Sequence, residues 1–194
     1  MNQLLQRLQL TPGQRIKFAP VSANEFDQLA AYSEWLMEWT IIGEMYVMAP
    51  TGGETGIQNA DLTAQVVQWN KQTKLGVVFD SSTVFRLPNG ARRGPDVAWV
   101  ALARWNQLTP EQRAGFPPLC PDFVIELRSR TDDLNELRAK MKEYIDNGCQ
   151  LGWLINPQDQ QVEVYQPSQV VTLSAPNQLL GEDILPGLIV HPPS

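Results

Sequence analysis

From Ser22 to Ser33 the apolar positions recur with a helical period. Phe26, Leu29, Ala30 and Ser33 share one face, and Ser22 with Glu25 spells a capping box at its start. Residues 39–49, WTIIGEMYVMA, break into two short apolar runs, which predict strands turning near Gly43 with Glu44 just after the turn. Beyond the interruption at 50–53, a second helical stretch runs from about Glu54 to Lys74. There Ile57, Ala60, Ala64 and Val67 recur at steps of three and four and are expected to be buried, leaving Glu54, Asp61, Gln65, Gln68 and Gln72 wet. The opening segment, up to about Pro20 with a turn at Thr11-Pro12-Gly13, reads as loose.

After Gly76 the period shortens. VVFDS, TVFRL and DVAWV read as strands, with a turn at Pro88-Asn89-Gly90, and a proline-rich stretch over 101–119 leads to the strand DFVIEL at 122–127. A helix then starts with Thr131 as the expected N-cap and buries Leu134, Leu137, Met141, Tyr144 and Ile145 before stopping at Asn147-Gly148. LGWLI, VEVY, VVTLS and GEDILPGLIV close the chain. Continuous apolar strands such as FVI and LGWLI need cover on both faces. The order therefore predicts an α/β (α+β) fold with a central mixed sheet flanked by helices, as one domain over 21–192 behind an N-terminal extension, 1–20.

Composition narrows the chemistry. The 194 residues include a single histidine, His191, in the C-terminal HPPS, which excludes Ser-His-Asp and Cys-His hydrolases, HExxH metalloproteases and His-ligated zinc. An enzyme built from this chain must work with carboxylates, Lys, Arg or Tyr. Cys120 and Cys149 lack metal or redox spacing and read as reduced apolar residues. No apolar run approaches the ~20 residues of a membrane span, so a cytoplasmic protein with no membrane partner is expected. The net charge of −6 opposes non-specific nucleic-acid binding, yet it is uneven: eight acids balance eight bases in 1–94, while thirteen acids face seven bases in 95–194.

Two of those acids stand where a charge is costly. Asp96 opens the apolar DVAWV, and Glu126 lies inside DFVIEL on the same face as Val124 and Arg128. Arg128 or Lys140 could compensate Glu126, and so could a divalent cation held between Asp96 and Glu126. Lys140 sits at the border of its helix's apolar stripe, where its stem can lie along the core while its amine reaches the sheet end. Two acids and a lysine so arranged suit Mg²⁺ or Mn²⁺ chemistry at a phosphodiester, which needs no histidine.

The stretches GPDVAWV, PDFVIELRS, LRAKMKEYIDNGCQLGWLINP and GEDILPG resemble the Uma-type family of restriction-endonuclease-like proteins, within the PD-(D/E)XK nuclease superfamily. GEMYVMAPTGGETG, SSTVFRLPNGARR and ARWNQLTPEQRAGFPPLCPDF extend the resemblance upstream. It implies a restriction-endonuclease-like core, a metal-dependent endonuclease acting on nucleic acid, DNA above all, and a homodimer. Asp96 matches the aspartate of the PD motif and Glu126 the acid of the (D/E)XK strand, both as metal ligands for Mg²⁺ or Mn²⁺. Arg128 stands at the usual lysine position as a candidate additional group, either contacting the scissile phosphate or pairing with Glu126 in place of the metal, and Lys140 is the matching lysine moved to the next helix. Glu44 matches an acid common in the family and is a candidate additional group. Arg86, Arg92 and Arg93 are candidate phosphate contacts, and Glu54 is expected only to stabilise its helix N-terminus. Arg128 and the net acidity keep open an alternative, a catalytically inactive nuclease-fold module that binds nucleic acid or a protein partner.

Overall fold

The computed structural model describes residues 12–33 and 35–193. The segment expected to be loose contains a strand, β1 (Arg15–Phe18), because RIKF alternates polar and apolar side chains and an edge is free to receive it. Helix α1 (Ala23–Ala31) begins with the expected capping box, the Ser22 side chain accepting from Glu25 N–H and Glu25 reaching back to Ser22 N–H. β2 (Leu36–Trp39) and β3 (Met45–Met48) form the hairpin, turning through Gly43 at a φ of 89°. Phe26 of α1 is buried against Met37, Trp39, Met45 and Val47.

Helix α2 (Gly53–Thr73) leads into β4 (Gly76–Asp80), then the short β5 (Phe85–Arg86) and β6 (Arg92–Arg93), then β7 (Val97–Ala101). The five-stranded sheet β1-β3-β2-β6-β5 is thereby completed by residues far along the chain. Short helices α3 (Leu102–Trp105) and α4 (Pro110–Ala114) precede β8 (Phe123–Leu127), helix α5 (Leu134–Asp146) and β9 (Leu151–Asn156). β10 (Gln161–Gln166), β11 (Gln169–Ser174) and the small pair β12 (Leu179–Leu180) and β13 (Ile189–Val190) follow.

The second sheet is six-stranded, in the order β11-β10-β9-β8-β7-β4, and mixed: β8 and β9 run parallel, the other neighbours antiparallel. Parallel neighbours require a crossover, which α5 provides. Phe123, Ile125 and Leu127 of β8 face Leu62, Val66 and Trp69 of α2, while Val124 faces Leu137, Met141 and Tyr144 of α5. This puts a helix on each face of the central strands, as the continuous apolar runs required.

Two local expectations are corrected. The buried face of α2 is Leu62, Val66 and Trp69, and Ile57 is 74% exposed. Both stripes have helical spacing, and the one with the larger side chains removes more apolar surface from water. The N-cap of α5 is Asp133, whose side chain accepts from Glu136 N–H at 3.0 Å. Thr131 instead donates to Gly13 O at 2.9 Å, and Asp132 accepts from Ser129 N–H at 2.8 Å, closing the turn after β8. Among the described residues no helix is long and apolar enough to cross a membrane.

Candidate active site

Sheet register builds the first half of the site. β7 and β8 pair antiparallel with Val97 opposite Ile125, so the next step of the ladder sets Asp96 opposite Glu126 on one face. Asp96 is held from two sides: its Oδ2 accepts from Leu127 N–H at 2.7 Å and its Oδ1 from Asn59 Nδ2 of α2 at 3.0 Å.

The crossover helix supplies the second half. With Leu137, Met141 and Tyr144 seated on the sheet, Lys140 at the stripe border is 8% exposed and projects to the strand ends. Its Nζ lies 2.8 Å from Glu126 Oε1, 2.7 Å from Glu38 Oε1 and 3.0 Å from Gly94 O. Tyr144, one turn further along α5, donates its hydroxyl to the same Glu126 Oε1 at 3.1 Å.

Glu38 was not among the residues expected here. It comes from β2 of the other sheet, is 2% exposed, accepts from Gly94 N–H at 2.9 Å and pairs with Arg93 at 3.2 Å. Arg93 also pairs with Glu143 of α5 at 2.5 Å. The signal that could have found Glu38 is the one that found Glu126, a carboxylate inside an apolar strand, here LMEW.

The protonation balance follows from this packing. Burial pushes the Glu126 carboxyl up to about 8; Lys140 opposes the rise, and nearby Asp96 and Glu38 add to it. Burial also raises Asp96, against the Leu127 N–H bond, Lys140 and Asn59. Glu38 is equally buried, yet Lys140, Arg93 and the Gly94 N–H hold it below the ordinary carboxylate range. Lys140 is raised: burial opposes its charge, but Glu126 and Glu38 outweigh it. Carboxylates outnumber cations at the core of the site, and ionising the last of them is what the protein resists.

A cleft of about 360 Å³ opens over this cluster, and Glu38, Asn59, Asp96, Glu126 and Lys140 line it. Among the described residues no group of three or more His, Cys, Asp or Glu side chains is placed to share one metal ion. Asp96 and Glu126 offer two carboxylates, and Mg²⁺ is commonly held by one or two carboxylates with water and substrate phosphate completing its shell. The Oδ1 of Asn59, in the same cleft, is buried without a hydrogen-bond partner. An all-oxygen set with surplus negative charge fits a hard divalent cation.

The other expected residues lie elsewhere. Glu44 pairs with Lys17 and accepts from Tyr46 OH at 3.0 Å, outside the lining of the cleft. Arg128 turns away from Glu126 to Asp159 and Asn156, each at 3.3 Å. Arg92, read as a phosphate contact, is 5% exposed and pairs with Asp27 at 2.6 Å. Arg93 is likewise committed inside the protein, and exposed Arg86 has no ion pair among the described residues. Glu54 is in the first turn of α2 and meets Arg130 at 3.4 Å.

A mixed sheet with a helix on each face and a carboxylate–carboxylate–lysine cluster at its strand ends defines a restriction-endonuclease-like nuclease fold. Residues 23–192 match the family Uma2, described as "Putative restriction endonuclease", and the chain belongs to that family. A crystal structure of a "putative nuclease belonging to DUF820" from Anabaena variabilis ATCC 29413 superposes with a TM-score of 0.74 at 20% identity, covering 89% of this chain and 95% of that one. At that identity the likeness establishes the fold. No curated protein sequence matches the chain.

Proposed function

We propose that the protein is a divalent-metal-dependent endonuclease that hydrolyses phosphodiester bonds in DNA. In this reading Asp96 and Glu126 are ligands for Mg²⁺ or Mn²⁺ and Lys140 is the catalytic lysine. The observation that carries it is the convergence of three groups from three elements: Asp96 opposite Glu126 across the β7–β8 ladder, with Lys140 Nζ 2.8 Å from Glu126. When bound, such a cation polarises the phosphodiester and lowers the pKa of water at the site.

The chain's own residues set the rest. Leu127 N–H and Asn59 fix the rotamer of Asp96, so its carboxylate is preorganised. Glu38 and Gly94 O hold the Lys140 amine over the cleft, where its charge offsets negative charge developing on a scissile phosphate. An ammonium has three protons, and Gly94 O, Glu38 and Glu126 take all of them. Donation to substrate therefore requires one contact to be released, and Glu126, the only one of the three assigned a second role, is the contact that gives.

Of the two features behind the inactive-module reading, Arg128 and the net acidity, Arg128 does not close over Glu126 and is engaged by Asp159 and Asn156. Cutting both strands of a duplex suits a homodimer, and the exposed Ile41 and Ile42 at the β2–β3 turn support a second copy as the partner. The test is cleavage of supercoiled plasmid with Mg²⁺ or Mn²⁺ and its suppression by chelator, with light scattering to read the oligomer. Plasmid left intact with both metals would remove the enzymatic reading.

A further inference from the structure

We propose that Asn59 supplies a third oxygen ligand, its side-chain Oδ1, to the cation site of Asp96 and Glu126. The inference rests on the reading of those two carboxylates as a divalent-cation site. Asn59 lies on α2, across the cleft from α5, and its amide is anchored on one side only: Nδ2 donates to Asp96 Oδ1 at 3.0 Å. The amide is planar, so this bond also fixes Oδ1 beside the Asp96 carboxylate. That oxygen is buried and has no hydrogen-bond partner. A buried acceptor left unpaired forfeits its hydration, and native proteins rarely leave one without a reason.

The donors around the two carboxylates are already committed. The three protons of Lys140 go to Gly94 O, Glu38 and Glu126, the Tyr144 hydroxyl goes to Glu126, and the Leu127 N–H goes to Asp96. Asp96 lies beside Asn59, and Glu126 lines the same cleft. A positive partner from outside the protein fits this arrangement, because three oxygens that repel one another become ligands once a cation sits among them. A neutral amide oxygen is a hard donor suited to Mg²⁺ or Mn²⁺, and it completes the set without a third negative charge in a site where burial already opposes ionisation.

The test uses Mn²⁺ alone, titrated calorimetrically into the full chain, and Eu³⁺ luminescence lifetimes in H₂O and D₂O, which count water molecules on the bound ion. Asn59→Ala is expected to weaken Mn²⁺ binding about tenfold and to add one water to bound Eu³⁺. Asn59→Asp, which keeps an oxygen in place, is expected to retain the wild-type water count and guards against a misfolded alanine variant. Unchanged affinity and water count in Asn59→Ala overturn the proposal. Weaker binding with an unchanged water count also overturns it, since Asn59 would then act only by positioning Asp96. Wild-type protein that takes up no Mn²⁺, or Asp96→Ala and Glu126→Ala proteins that bind as wild type does, overturns the cation site itself and Asn59 with it. Intact Mn²⁺ binding at Asp96 and Glu126 without an Asn59 effect leaves the endonuclease reading standing.

Discussion

Glu38 and Lys140 meet at 2.7 Å across the junction of the two sheets, one side chain from β2 and the other from the crossover helix α5. Both are nearly inaccessible, at 2% and 8% exposure. The contact ties the N-terminal sheet to the lysine of the candidate site.

Glu38→Gln therefore leaves Lys140 and Arg93 short of a carboxylate in a buried setting. Breaking a buried ion pair from one side is strongly destabilising, and a loss of about 3 kcal/mol is expected by urea denaturation. Glu44→Gln, at a half-exposed pair with Lys17, is expected to shift the unfolding free energy by no more than about 1 kcal/mol.

Stability should also report the strained ionisation of Glu126. Burial raises its carboxyl from the ordinary 4.5 to about 8, so between those values the native state holds a proton that the unfolded chain has lost. This group's contribution is fully present below the unfolded value and is lost as pH rises through the folded one. With chelator present, the unfolding midpoint is expected to fall from about pH 5 to pH 8, and Glu126→Gln to flatten that fall. Mn²⁺, which favours the ionised carboxylate, is expected to restore stability at the alkaline end. Glu38 is shifted downward and does not contribute in this window.

Much of this arrangement is legible in the sequence. A carboxylate inside an apolar strand is expensive enough to mark Asp96 and Glu126, and a lysine at the edge of an apolar stripe reaches only so far. Glu38 carried the same signal but was hidden, because LMEW becomes a strand only through pairing with Met45–Met48 and its partner Lys140 is distant in sequence. Arg92 and Arg93 looked like phosphate contacts for a related reason: their acids, Asp27, Glu38 and Glu143, are brought in by tertiary packing. On α2 two stripes of helical spacing competed, and periodicity alone does not weigh Trp69 and Leu62 against alanines.

Arg128 occupies the superfamily's lysine position but is engaged by Asp159 and Asn156. Arg128→Ala is expected to leave the plasmid cleavage rate within a factor of about two, the scale of substitutions away from buried networks. Lys140→Met, which removes the amine over the cleft, is expected to slow cleavage by about 100-fold or more.

Salt dependence follows from how the bases are spent. Arg92, Arg93, Arg128, Arg130, Arg138 and Lys140 all pair with acids of the same chain. Few are left to neutralise phosphates, so fluorescence anisotropy on a short duplex should give a shallow slope of log affinity against log salt, below about 3 in magnitude. A steep slope would mean that these pairs open on binding.

The most direct measurement is single-turnover cleavage of supercoiled plasmid with Mg²⁺ or Mn²⁺ by wild-type, Asp96→Asn and Glu126→Gln proteins, each checked for the native melting transition. The expected result is metal-dependent cleavage by the wild type and a loss of about 100-fold or more in both variants. Cleavage that persists undiminished in both would contradict a site built on Asp96 and Glu126.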